Sequence, residues 1–438
     1  MKAFLWIAIP GALLAGVLAY GAQTANPTTP NLIIHEWGTF TSCQDENGNA
    51  LGSINTDDEP LPPFVHDLLP GLINVSGPLL QDTKGGIPNC DPDVTMRLET
   101  PVLYFYPQGN SAPKSVDIAV QFHGGWLSQY YPEASVTAPG LWANQARNQI
   151  GHITADTVGM LEWQNTKLNA SPGGPQTDDY VWTSPRHVRA SYVQTPAGET
   201  ERFLFYRGVG HLDSPLRIIQ IGSLLQIEAQ PTQNGVPAVA TIPELWLADF
   251  KSGYKNDGQC AFRVITNVHL ANGNSSALVL MPAMPATFAD SDYSTANVDL
   301  LRKSMHDSLV AAGLYSDEAD ALLNTWRLSY FRSGGERVFF IVPQSWTDRV
   351  LPLQIQPAAD ITRVMVGRIE LVTPEQRALL NKMATMPADS SDFNQLLEDY
   401  NQLGRFAAAL IINEEHLHPS PAYELLLKNI AIDNGQTN

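Results

Sequence analysis

The chain reads as mainly β, with an antiparallel β-sandwich-like N-terminal region followed by an α+β part of helices and two or more strands. Three observations carry that reading. Between Met96 and about Met281, runs rich in Val, Ile, Phe, Tyr and Trp recur between Gly, Pro, Asn and Ser turns. Beyond residue 285 the apolar spacing lengthens from two to three or four. Gly and Pro, 32 of each in 438 residues, suit a fold of many short strands and turns.

Residues 1–21 place the protein. Lys2 precedes the apolar run AFLWIAIPGALLAGVLAYG, and Ala19-Tyr20-Gly21 supplies a small-residue cleavage pattern before Ala22, so the segment reads as an export signal. The run is also long enough for an uncleaved anchor, which is the alternative. Residues 22–31, with Pro27 and Pro30, form a polar linker. The expected location is periplasmic or secreted. A net charge of −18 argues against nucleic acid and anionic membrane as partners, because both need basic surface.

The β-rich region, 32–285, opens on Leu32–Ser42, LIIHEWGTFTS, whose β-branched and aromatic content predicts a strand. Further strands are predicted at 101–106, 115–122, 128–137, 150–166, 187–194, 202–209, 216–228, 238–250 and 261–270. Val116, Ile118, Val120 and Phe122 share one face of theirs. The α+β region, 286–438, begins with helical periodicity over 297–314 and 317–331, continues with strands at 337–342 and 362–371, and ends in helices. Thr373-Pro374-Glu375-Gln376 is a helix start, with a Thr cap, Pro at the first position and Gln three after the cap.

Cys43, Cys90 and Cys260 match no zinc spacing. Cys43 and Cys90 bracket a Pro/Gly-rich segment, so a Cys43–Cys90 disulfide is expected, with Cys260 left over. Asp45-x-Asn47-x-Asn49 lacks the Gly and Glu of a calcium loop and reads as an Asn47-Gly48 turn. No metal site and no cofactor is expected. Neither a Gly-x-Ser-x-Gly nucleophile motif nor a phosphate-cradling glycine loop is present.

Several stretches together resemble a family of exported bacterial proteins without an established activity. They are His35–Phe40 (HEWGTF), Glu99–Tyr106 (ETPVLYFY), Phe203–Gly208 (FLFYRG) and Arg363–Glu370 (RVMVGRIE). The resemblance runs from about residue 32 to the C-terminal helices and transfers no catalytic residue. Relatives carry Glu-Trp-Tyr-Pro where this chain has Gln129-Tyr130-Tyr131-Pro132, which counts against a catalytic acid at 129.

The residues that bear chemistry are few. Alternation puts Glu36 on the face of Ile34, Gly38 and Phe40, and Glu99 on that of Leu103 and Phe105. A carboxylate so placed must be paired, hydrated in a cleft or protonated. Paired with arginine, Arg207 for Glu36 in preference to Arg368, these are structural ion pairs. Facing one cleft, Glu36 and Glu99 with Arg207 or Arg368 would be the catalytic set of a glycan- or polymer-degrading enzyme. His35, Trp37, Tyr104 and Tyr106 are the candidate ligand-binding residues, since exposed aromatic rings suit sugars or apolar partners. The favoured function is a non-enzymatic binding or envelope-associated protein using the aromatic-rich β region, with an extracellular glycan or envelope component as partner. The polymer-degrading enzyme is the alternative.

Overall fold

The computed structural model describes residues 31–55, 61–68, 82–83, 87–88, 91–141, 151–231, 239–251, 258–270, 282–386, 406–423 and 426. Residues 1–30, which include the segment read as an export signal, and Cys90 and Trp142 lie outside them. The strands used below are β1 (Leu32–Gln44), β2 (Met96–Pro107), β3 (Ser115–His123), β4 (Gly125–Tyr131), β5 (Val158–Leu168), β6 (Leu204–Gly210), β7 (Leu216–Ile221), β8 (Leu224–Ala229), β9 (Thr241–Lys251), β10 (Gln259–His269), β11 (Gly335–Val342) and β12 (Asp360–Leu371). The helices are α1 (Ala296–Ala311), α2 (Ser316–Thr325), α3 (Arg327–Phe331), α4 (Gln344–Val350), α5 (Pro374–Ala384) and α6 (Ala407–Leu417).

The fold is mainly β, and its helices fall in the C-terminal part as expected. Its main sheet runs β5-β4-β6-β2-β1-β12-β11-β9-β10, with β1 near the middle. β1 pairs antiparallel with β2 and parallel with β12, so a strand of the first region lies between its own neighbour and one more than 300 residues away. A single sheet therefore passes through both sequence regions, and residue 285 marks a change of composition within it. Hydrogen-bonded on both edges and covered on both faces, β1 is buried almost throughout, its polar residues His35, Glu36, Thr39, Thr41, Ser42 and Gln44 included.

One face of the sheet carries Ile34, Phe40, Leu103, Tyr206 and Met365. It packs against β3, β5, the β7–β8 hairpin and Trp346 and Val350 of α4. The other face carries Trp37, Val102, Phe205 and Val366 and lies beneath the apolar stripes of α1 and α2, with Leu301, Met305, Leu309 and Leu322 buried. α5 and α6 close a third cluster with Trp126 and Val209. The alternation expected in β3 is present: Val116, Ile118, Val120 and Phe122 are all buried. Thr373 caps α5 as expected, its hydroxyl accepting from Gln376 N–H while the Gln376 side chain accepts from Thr373 N–H.

Four elements differ from their sequence reading. The strand expected over 128–137 is broken at Pro132 into Gly125–Tyr131 and Ser135–Thr137. The single strand expected over 216–228 is a hairpin turning at Gly222, whose φ of +60° suits glycine. The helix expected over 317–331 breaks at Trp326, where α2 ends and α3 begins, and the Trp326 indole stacks on Tyr330. The strand expected over 187–194 shrinks to Val193–Gln194, because Pro185–His187 forms a tight helical turn instead.

Candidate functional site

Glu36 is fully buried and does sit in an ion pair, but with Arg363 rather than Arg207 or Arg368. Arg363 Nε lies 2.5 Å from Glu36 Oε2, and the Tyr206 hydroxyl donates to Oε1 at 2.5 Å. Arg363 Nη1 donates to the Leu351 carbonyl at 2.7 Å and to Asp348 at 3.0 Å. Burial works against the Arg363 charge, but Glu36 and Tyr206 outweigh it and lift its pKa above the ordinary arginine value. Burial, then Glu36, raise that of the Tyr206 phenol, keeping it a donor. Register explains the partner: Glu36 is level with Arg363 on the parallel neighbour, and Arg368 lies on the opposite face of β12. That parity was readable within Arg363–Glu370. The neighbourhood of the two strands was not.

Glu99 lies across the sheet from Glu36, which corrects the expectation of a shared face. Glu36 is level with Leu103, but Trp37 pairs with Val102 and Thr39 with Glu99, so β2 carries an extra residue in between. Thr100 sits in that bulge at φ +44°, and Gly38 faces it, where a Cβ would come within 2.9 Å of Pro101 Cα. The bulge reverses the alternation downstream of Glu99. Two carboxylates on opposite faces of one sheet cannot flank one substrate, so the Glu36–Glu99 acid–base pair fails on geometry.

Glu99 is 2.7 Å from Arg97 of its own strand, and both are buried. Arg368 Nε donates to Glu370 at 2.5 Å, while Arg207 places its guanidinium 5.9 Å from the Trp326 ring. Arg337, also buried, donates to the carbonyls of Ser329, Tyr330, Ser333 and Gly334, and so caps the C-terminal end of α3. This is a polar band held between two apolar cores, and it braces the helices against the sheet.

Of the four candidate ligand-binding residues, His35 and Tyr106 meet at one point. Glu318 of α2 joins them, with His35 Nδ1 2.8 Å from its Oε2 and the Tyr106 hydroxyl donating to Oε1 at 2.7 Å. Tyr315 N–H also donates to Oε2, and the Tyr315 ring lies over His35 at 4.5 Å. Burial, then Glu318, push the Tyr106 phenol upward, so it stays protonated. Both oxygens of Glu318 are occupied by protein donors, and the cluster pins α2 to the start of β1. Glu318 was visible in the sequence only as an acid in a first helical turn.

Trp37 and Tyr104 are fully buried, Tyr104 donating to the Pro185 carbonyl at 2.9 Å. Trp126, Trp163 and Trp182 are buried as well. The aromatic content of the β region therefore builds cores, which corrects its reading as a binding surface. Cys43 and Cys260 are free, buried thiols; Cys90, the expected partner of Cys43, lies outside the described residues. Burial lifts the Cys43 thiol far above its ordinary value and pushes Cys260 up to about 12, so both are poor nucleophiles. Asp45 accepts from the backbone of Asn47 and Asn49, which makes that segment a turn.

A different pair of carboxylates does face each other. Asp249 of β9 and Glu336 of β11 are opposite in register, and Tyr293 donates its hydroxyl to Asp249. Burial, then Asp249 and Glu375, push Glu336 up to about 8, with Arg263 opposing. A carboxyl raised in the folded state stabilises least where the unfolded chain has ionised and the folded one resists. Its penalty therefore grows as pH rises from the ordinary 4.5 to about 8. Glu336→Gln should leave the melting temperature unchanged near pH 4 and raise stability by up to about 5 kcal/mol above pH 8. Thermal melts across that range check it; a flat difference rejects the buried carboxyl.

One concavity of small-molecule size opens on the face that carries Glu36. It encloses about 220 Å³. Its wall is apolar where Val158, Val239, Trp346 and Val350 contribute, and polar where His123, Asp156, Asp213 and Gln230 do. Backbone bonds hold the loops that shape it. Gly124 N–H donates to Thr157 O and His211 N–H to Gly124 O, both at 2.7 Å, and Gln230 N–H donates to Pro215 O at 2.9 Å. The Gln230 amide donates to Asp213 Oδ2 at 2.6 Å. A second hollow of about 290 Å³ shares Asp213, Gln230 and Pro231. Sequence reasoning found none of this, because segments far apart in the chain supply the walls and no local pattern marks their meeting.

Neither the protein-family models nor the curated proteins include a match to this chain. Among solved structures, the Fcho1 Mu homology domain of Danio rerio with bound Eps15 peptide covers 79% of this chain and 96% of its own. The identity is 9% and the TM-score 0.26, too low to carry a fold or function. Among the described residues, no group of three or more His, Cys, Asp or Glu is placed to hold a metal ion, and no helix is long and apolar enough to cross a membrane.

Proposed function

We propose that this chain is an exported, non-enzymatic binding protein of the periplasmic or secreted fraction, and that the pocket between β3, β5 and α4 is its ligand seat. The expected partner is a small molecule or the free end of an envelope component that fits a concavity of about 220 Å³. One observation carries the reading: Glu36 and Glu99 are each held by an arginine inside closed cores on opposite faces of the sheet. That arrangement suits a scaffold and keeps Glu36 and Glu99 from serving as acid and base on one substrate. The apolar, Lys2-preceded N-terminus supports export, and pockets with an apolar wall and a few converging polar groups are the usual small-molecule seats.

Ligand-observed NMR with a mixed fragment set tests it on the purified chain, beside the Ala155→Trp variant, whose indole would fill the mouth of the pocket. Fragment binding by the parent chain that disappears in the variant is the expected result. Cleavage of an envelope glycan that Glu99→Gln abolishes would instead establish the enzyme.

A further inference from the structure

We infer that Arg363 is the positioning residue of this pocket: it clamps α4 by its C-terminal end and so sets where Trp346 and Val350 stand in the wall. The inference rests on the reading of the pocket as a ligand seat and names what holds that seat in shape.

The need for a clamp comes from length. α4 spans only Gln344–Val350, and a helix that short does not hold itself in water. Its place is set by what it touches. Trp346 and Val350 are four residues apart, so they share one side of the helix, and both line the pocket. Arg363 takes the far end. Its Nη1 donates to Asp348 Oδ1 at 3.0 Å and to the carbonyl of Leu351, the residue that ends α4, at 2.7 Å. A cation belongs there, because the last carbonyls of a helix lack partners within it and carry its negative end.

The other side of the clamp is β1. Arg363 Nε lies 2.5 Å from Glu36, so one planar guanidinium joins the strand to the helix at a fixed angle. Four residues on, and on the same face of β1, the Phe40 ring lies 5.2 Å from that of Trp346. The strand therefore supports α4 near both its ends, through Phe40 at Trp346 and through Glu36 and Arg363 at Leu351. This gives the buried ion pair a second task besides neutralising Glu36. A wall held in place before binding spares the ligand the cost of ordering it, and a loosened wall returns that cost as lost affinity.

Benzene, which an apolar cavity of about 150 Å³ takes up, is the probe for a seat of about 220 Å³. Its affinity in a ligand-observed NMR titration should fall about fivefold or more in Arg363→Lys and in Asp348→Ala. Lysine keeps a charge beside Glu36 but lacks the fork that also reaches α4. Asp348 is 51% exposed, so its loss leaves the buried pair intact. Hydrogen exchange should show the α4 amides losing protection in both variants while those of β1 keep theirs, with thermal melts confirming that the variants fold. Glu318→Ala weakens the fold from the other face of the sheet and should leave benzene affinity unchanged. Equal affinity in the parent, Arg363→Lys and Asp348→Ala would overturn the positioning role and leave the ligand seat in place. A loss in Glu318→Ala as large as in those two would overturn it as well, since general destabilisation would then account for the effect. Absence of benzene binding by the parent chain overturns the inference, and the fragment screen then decides separately whether the pocket binds anything.

Discussion

Glu36→Gln is expected to destabilise the protein by about 3 kcal/mol, the scale for breaking a buried charge pair from one side. The loss follows from Arg363, which would keep its charge 2.5 Å from a neutral amide in a closed core. Tyr206, whose hydroxyl donates to the same carboxylate, would lose an ionic acceptor at the same time. For a chain of this size the melting temperature should fall by about 3 °C. A double-mutant cycle assigns the effect. Glu36→Gln with Arg363→Met should show a coupling of at least about 1 kcal/mol, whereas Glu36→Gln with Arg207→Met should be additive. An unshifted midpoint in the single variant would reject the structural pair and return Glu36 to the list of working residues.

The second large effect belongs to Glu318. Glu318→Ala removes the acceptor of His35, of the Tyr106 hydroxyl and of Tyr315 N–H together. Leaving buried donors unmet costs about 1–3 kcal/mol each, reduced where water reaches them. Tyr315 is 43% exposed and Tyr106 half-buried, so hydration recovers part, and a net loss of about 3 kcal/mol is expected. Hydrogen exchange should locate it: amides of α2 and the first residues of β1 should lose protection ahead of those in β11 and β12. Glu318→Gln, which keeps an acceptor oxygen, should lose roughly half as much. Uniform loss across the sheet would mean that Glu318 does not pin α2 to β1.

Both predictions show β1 as a structural axis with different chemistry on each side. Glu36 and Arg363 lock it to β12 on one face. His35 and Glu318 lock it to α2 on the other. The segment that looks most like an active site in the sequence is therefore a junction, and the open pocket lies elsewhere, where loops meet α4.

What the sequence by itself determined is whatever depends on near neighbours. The strand read at 32–42, the one-sided burial of Val116, Ile118, Val120 and Phe122, the cap of α5 and the mainly β composition all follow from local periodicity and propensity. It also showed that Glu36 needs a partner, since a lone buried carboxylate is too costly to leave unpaired. Only the tertiary structure decided which arginine answers. Arg363 lies 327 residues away and is reached through parallel pairing of β1 with β12, a neighbourhood that neither segment encodes alone. The same holds for Glu99. Period-two counting placed it with Leu103, but the single extra residue at the Thr100 bulge moved it to the other face. A strand's alternation is a local count, and one inserted residue inverts every face beyond it. That insertion is settled by long-range register between strands, which is why two glutamates that looked like a pair ended on opposite sides of one sheet.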